Sequence, residues 1–426
     1  MNILKFTALL FICGLAYWAI SSTTPKYSTI VHQDDLSAFL MELPDLSLEQ
    51  AELAFWEQKY TADTLQFVPL VKLGHAHAAL FQKTGKIAHL KAAEQHYQKA
   101  NALQAGRDAG LLRSLSQNMI TQHRFQEALA FADQALALGE NRAASQLIRF
   151  DALMEVGQYE AAQQLLLEQE APLTIDYLIR LAKYKDFVGE LDTTVELLEK
   201  CKAQAQSPAM QIWLTSNLGD YYGHQGEIER AYRSYLETLD LDPGNWYALK
   251  GIAWIAYSHD RNPELALELI NEAMRRNHSP GLMVWKAEVL TYQERYSEAQ
   301  ALTDQFLDIV QDEAYAQLYR AQLAELWAED PIQAGKAVQL AHLEVQERPG
   351  IEAYDLLAWS LFLDGQIAEA KHIADTQLWD KTGEPGVLLH LSRIYAQTNE
   401  LDKFEFCNTE VLSSLFELGP LTASSL

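Results

Sequence analysis

Residues 212–243 read IWLTSNLGDYYGHQGEIERAYRSYLETLDLDP. Large apolar residues recur at helical spacing on both sides of Gly226, so the stretch reads as two short helices joined by a turn. Small residues stand at fixed places within it. Gly219 lets the paired helix approach, Ala231 does the same on the second helix, and larger residues such as Tyr222 and Tyr235 fill the space between neighbours. Pro243-Gly244-Asn245 ends the second helix, because Pro cannot continue it and Gly and Asn accept turn conformations. Neither helix can bury its apolar face alone, so the unit requires copies of itself on either side.

Those copies are present at a period of about 34 residues. From Ala109 the frame returns as Leu112, Leu115, Ser116, Phe125, Ala128 and Ala135, and from Ile351 as Tyr354, Leu357, Ala358, Leu361, Gly365, Ile367 and Ala370. Weaker copies begin near Phe67, with a three-residue insertion, and near Ala143, Ile175, Trp246, Pro280, Tyr315 and Pro385. About ten units are expected between Phe67 and Leu418. No strand-period run of useful length appears, so the chain after its N-terminal segment is expected to be all-α. Residues 22–66 read as a poorly ordered polar lead followed by a helical cap at Leu48–Tyr60, and residues 419–426 as a C-terminal tail.

Leu218-Gly219, Tyr222, Ala231, Tyr235 and Pro243 resemble the tetratricopeptide repeat, with its Leu-Gly-x-x-Tyr, Ala-x-x-x-aromatic and closing Pro. The chain is more narrowly similar to an exported bacterial subgroup of no defined activity, on Gln82-Lys83-Thr84-Gly85-Lys86 and on Arg348-Pro349 followed by residues 353–359 (AYDLLAW). The resemblance implies a right-handed superhelical solenoid, residues 67–418, whose first helices line an inner surface. Arg149-Phe150 and Lys286 depart from the pattern, and leave the register near residues 143–150 and 280–330 open.

Composition narrows the function. The 426 residues exceed what one hydrophobic core usually serves, which suits an open-ended array. Lys and Arg total 33 against 58 Asp and Glu, a net charge of −25 that opposes a phosphate backbone, and no basic patch offsets it; a nucleic-acid partner is therefore not expected. Cys13, Cys201 and Cys407 are too few for a disulfide framework or a four-Cys zinc site, and Cys201 and Cys407 read as small buried hydrophobes about six repeats apart.

The N-terminus reads as an export signal: Met1 to Lys5, an apolar run from Phe6 to Ile20, then Ser21-Ser22-Thr23-Thr24-Pro25. Fifteen residues of helix span roughly 22 Å, short of the roughly 30 Å of bilayer hydrocarbon, which favours cleavage of residues 1–21 over a stable anchor. Tyr17 and Trp18 suit the interface if residues 3–20 remain as an anchor. Either way the rest is expected outside the cytoplasm, in a bacterial periplasm or cell envelope, with membrane contact only through an uncleaved segment.

Catalytic and cofactor motifs are absent: no GxSxG, phosphate loop, dinucleotide fingerprint, HExxH or CxxC occurs, and neither an enzyme nor a cofactor is expected. His75, His77, His89 and His96 form the richest ligand cluster, but His75 and His77 point to different helix faces and no carboxylate or thiolate set accompanies them, so no metal is assigned. Asp240 to Asn245 resembles the start of a calcium loop without its closing Glu, and reads as a repeat terminator.

What remains is the inner surface. Repeat positions 2, 5, 9 and 12 share one helix face, and the resemblance places that face inside the superhelix. They carry Arg113, Gln117, Asp151, Lys183, Trp213, Asp220, Lys250, Trp254, Tyr257, Glu288, Thr291, Tyr319, Asp355, Trp359 and Phe362. Seven of the nine Trp lie between Trp213 and Trp379, so binding hot spots are expected in the second half. Trp254 and Trp359 either face the groove or pack between repeats. The expected function is a protein or peptide interaction module; the alternative is a polysaccharide-handling or export-associated envelope protein whose aromatic residues stack on sugar rings.

Overall fold

A computed structural model describes residues 28–60, 66–168 and 174–426. Within them the chain is helical, and ten antiparallel helix pairs follow one another in sequence. The pairs, numbered here as repeats 1 to 10, begin at Phe67, Ala109, Arg142, Ile175, Pro208, Trp246, Gly281, Arg320, Ile351 and Pro385. In each pair the two helices pack on each other, and successive pairs pack on one another except between repeats 7 and 8, where the 3₁₀ turn intervenes; this is the nearest-neighbour pattern of a tetratricopeptide-like solenoid. The expected frame holds to within a residue or so except at Ile212, where the first helix starts at Pro208, and at Tyr315, where a short 3₁₀ turn at Glu313–Tyr315 delays it to Arg320. The cap helix Ser47–Tyr60 packs on repeat 1. The export segment lies outside the described residues, and among those described no helix is long and apolar enough to cross a membrane.

The small residues act as expected. A Cβ added at Gly219 would stand 2.4 Å from the Tyr235 ring, and one at Gly251 would stand 2.3 Å from it, so Tyr235 fits between two first helices only because both are bare there. Helix entry is fixed by side-chain caps where the sequence supplies them, as at Asp108, Thr174, Ser207, Asn245 and Asn262. Two first or second helices end in π turns, at Ile255–His259 and Ala374–Leu378.

Two features depart from an open array. From residue 28 the lead is docked on the array: Ile30, Val31 and Leu36 are buried, and the Asp260 carboxylate accepts from the backbone N–H of Ile30 at 3.1 Å and of Val31 at 2.9 Å. Arg276 donates to the carbonyl of Phe39 at 2.5 Å. Residues 22–27 of the lead lie outside those described; from residue 28 its backbone groups bond to distant repeats, which leaves no local pattern in the sequence. The second feature is closure between early and late repeats. The His278 N–H donates to the Thr84 carbonyl at 2.8 Å, Gln126 donates to the Glu347 carbonyl at 3.1 Å, and Gly157 lies against the backbone of Pro349.

Candidate functional site

The first helices of repeats 5 to 7 turn one face toward a common space, and three other segments complete its walls. These are Tyr319 and Gln322 at the start of repeat 8, Glu384 to Gly386 at the start of repeat 10, and Phe416 to Leu418 on the last helix. The cavity is half open to solvent and holds about 750 Å³. Its wall is aromatic: Trp254 and Trp285 pack with ring centroids 6.0 Å apart, and Trp246 and Tyr247 meet edge-on at 5.7 Å. Gly219, Gly223, Gly251 and Gly281 line it on the helices themselves; the first and third seat the Tyr235 ring, and the other two let Phe416 and Gln322 come close.

Its charged groups are held in different ways. Asp220 accepts from the hydroxyls of Tyr235 at 2.5 Å and Tyr247 at 2.7 Å, so both carboxylate oxygens are committed within the fold. Lys250 has its ammonium 5.5 Å from the Tyr247 ring centroid and makes no ion pair among the described residues. Its pKa is lowered because protein crowds it on most sides although water reaches its tip from the cavity, and Asp220 pulls the other way. His224 pairs with Glu417 at 2.5 Å, and that hydrogen bond is the main reason its pKa is raised, against desolvation. Tyr319 meets the Ser279 hydroxyl at 2.8 Å.

The last helix, Leu415–Ala423, lies across one edge of the cavity. Ser258 donates to the Phe416 carbonyl, and the Leu421 N–H donates to the Tyr257 hydroxyl at 3.3 Å. Both acceptor and donor sit on the π turn of repeat 6, which swings consecutive side chains toward the incoming segment. Gly419 bends the helix at φ 77°, where a Cβ would stand 3.0 Å from Trp254 and 3.3 Å from the Glu288 carboxylate. Beneath it Tyr257 is fully buried, so it is not an open groove residue. Burial also pushes the Glu288 carboxyl up to about 7, with a hydrogen bond from Tyr257 opposing.

The remaining sequence-derived positions lie elsewhere. Arg113 donates to Ser145 at 3.1 Å, Arg180 pairs with Asp151 at 2.7 Å and Lys183 with Glu155 at 2.9 Å, a ladder linking the first helices of repeats 2 to 4. Trp213 is 41% exposed and outside the cavity wall. Asp355 accepts from His390 at 2.9 Å, and the His390 ring stacks on Trp359 at 4.3 Å, with Phe362 at 5.2 Å. This second cluster, in repeats 8 to 10, includes Glu325, whose carboxyl burial lifts to about 7 against the pull of His390. Thus Asp220, Lys250, Trp254 and Tyr319 share the cavity, Tyr257 and Glu288 lie under its edge, and Arg113, Asp151, Lys183, Trp213, Asp355 and Trp359 do not line it. Trp246, Tyr247, Trp285 and the residues of the last helix went unread in the sequence; the concentration of Trp in the second half was the one signal for Trp246 and Trp285.

The histidines of repeat 1 do gather: the Nδ1 atoms of His77 and His89 are 2.9 Å apart, and His96 stacks on His77 at 5.5 Å. Burial, reinforced by the other two rings, lowers the His77 pKa to about 4. Among the described residues no group of three or more His, Cys, Asp or Glu is arranged to hold a metal ion.

No family model matches the chain, and no curated protein matches it. Among solved structures, the human IFIT1 dimer with PPP-AAAA is similar at 15% identity and a TM-score of 0.47, over 73% of this chain and 71% of that one. A Rap protein complexed with competence and sporulation factor is similar at 13% identity and a TM-score of 0.44, over 67% of this chain and 91% of that one. MamA is similar at 18% identity and a TM-score of 0.29, over 38% of this chain and 93% of that one. Likeness at this level says nothing of what the chain binds, and its tetratricopeptide-like fold rests on its own ten stacked pairs.

Proposed function

We propose that the chain is a non-enzymatic interaction scaffold that holds a peptide or protein segment in the cavity facing repeats 5 to 7. The observation that carries this reading is the wall itself: a preformed space of about 750 Å³ where the Lys250 ammonium, with no ion pair among the described residues, stands beside Trp246, Tyr247, Trp254 and Trp285. That volume takes a few side chains, and because the wall is built before binding the ordering cost falls on the ligand. Aromatic anchors in an apolar pocket next to the Lys250 cation suit a peptide, whereas a sugar site would flank its stacking rings only with neutral amides and carboxylates. The net charge of −25 weighs against nucleic acid. The apolar run Phe6 to Ile20 supports action outside the cytoplasm, and a reporter active only after export, fused after residue 30, tests that part.

A photo-crosslinking side chain placed at Trp246 in cells tests the binding site. The expected result is one partner crosslinked through one short segment, with the adduct lost in Lys250→Glu and weakened in Trp254→Ala by about 2 kcal/mol of binding or more. The same adducts from a crosslinker at exposed Ile332, which is not part of the cavity wall, would overturn it.

A further inference from the structure

We propose that the C-terminal segment Leu415–Ala423 is a displaceable stand-in for the partner, which is itself a short apolar, bent segment carrying a carboxylate. This rests on the reading that the cavity is the binding surface. Apart from the break before Arg320–Ala328, each helix from Phe67 to Ser413 packs on its immediate predecessor, whereas the last helix packs mainly on the π turn of repeat 6 and the first helix of repeat 7. It returns to repeat 6, with contacts that span 158 residues at Ser258 and 164 at Tyr257.

Its contacts are those of a bound peptide. One carbonyl accepts from Ser258 and one N–H donates to Tyr257, both independent of the segment's own side chains. One carboxylate, Glu417, meets His224, and two apolar side chains, Phe416 and Leu418, face the cavity. Nine residues interrupted by Gly419 and Pro420 make a helix too short to hold by itself, so its order comes from this seat. The seat is incompletely used. Phe416 to Leu418 form only part of the lining, while Trp246, Tyr247 and Tyr319 still face about 750 Å³ of space. An outside segment with the same backbone and carboxylate contacts and bulkier apolar side chains would bury that wall as well. Tethering gives the resident segment an effective concentration on the order of millimolar, which is the advantage such a ligand has to exceed.

The test uses the full chain and a labelled synthetic peptide of residues 412–426. In the wild-type chain the tethered copy competes, and weak binding is expected. In a full-length variant with Phe416→Ala, Glu417→Lys and Leu418→Ala, amide exchange of residues 415–423 is expected to become fast, and the peptide to bind at least ten-fold more tightly with unchanged far-UV helicity. The single change Glu417→Lys serves if the triple variant does not fold. Slow exchange persisting in the variants, equal peptide affinity for wild type and variant, or a concentration-dependent wild-type dimer that exchanges its tails would each overturn the proposal. These outcomes are separable from the crosslinking result: a cavity that takes a partner beside an immobile tail still yields adducts at position 246.

Discussion

Glu288 shows how the seat of the last helix depends on protonation. Its carboxyl is raised from the usual 4.5 to about 7 by burial, so the folded chain holds a proton there that the unfolded chain has released. Folding is therefore unpenalised below about pH 4.5 and loses stability as pH climbs to about 7, with the full penalty above it. Glu288→Gln is expected to raise stability by about 2 to 3 kcal/mol at pH 8 and to change it little near pH 4.5, measured as denaturant midpoints at both values. His77 has the opposite sign. Its pKa falls from 6.5 to about 4, so the stability it contributes is present above 6.5 and is lost as pH drops toward 4. Comparing variant with wild type at each pH separates the Glu288 effect from that of the histidines.

At the scale of the element, the decisive fit is a ring between two bare helices. Gly219→Ala would press a methyl into Tyr235 and is expected to cost about 1 to 3 kcal/mol, since the ring is itself clamped by Gly251. Gly386→Ala, on a helix whose added Cβ meets nothing within 4 Å, is expected to be neutral or stabilising by up to about 1 kcal/mol; thermal melts of the two variants check the contrast. This fit is also why the repeats were legible. Gly219, Tyr222, Ala231 and Tyr235 record contacts between adjacent helices, so their spacing is local and recurs. The cavity was half legible for the same reason. Position 9 carried Trp254 to the wall, but position 12 put Tyr257 in a π turn, where helical spacing no longer fixes the face a residue presents. The last helix was illegible as a wall, because the apolar residues from Leu415 to Leu421 mark an amphipathic segment without naming a destination in repeat 6.

Over the whole molecule, the solenoid is held at both ends by reaching back onto its middle. Asp260 is 1% exposed and receives the Ile30 and Val31 amides, so Asp260→Ala leaves two backbone donors without their acceptor. A loss of about 2 to 4 kcal/mol is expected, with residues 28–42 becoming open to limited proteolysis while the repeats stay helical. The contacts that close the structure join residues far apart in the chain, 230 residues for Ile30 with Asp260 and 221 for Gln126 with Glu347. At roughly 5 to 20 residues per second of synthesis, the early repeats exist for about 10 to 45 seconds before the surfaces they close against have been made. Through that interval the buried faces of Ile30, Val31 and Leu36 have no cover, and a nascent chain is a substrate for any holding factor that recognises them. The order in which the ribosome delivers the repeats thus opposes the order in which the finished molecule is fastened, and slowing translation once both Asp260 and Arg276 have cleared the ribosomal exit tunnel gives the lead its time to dock.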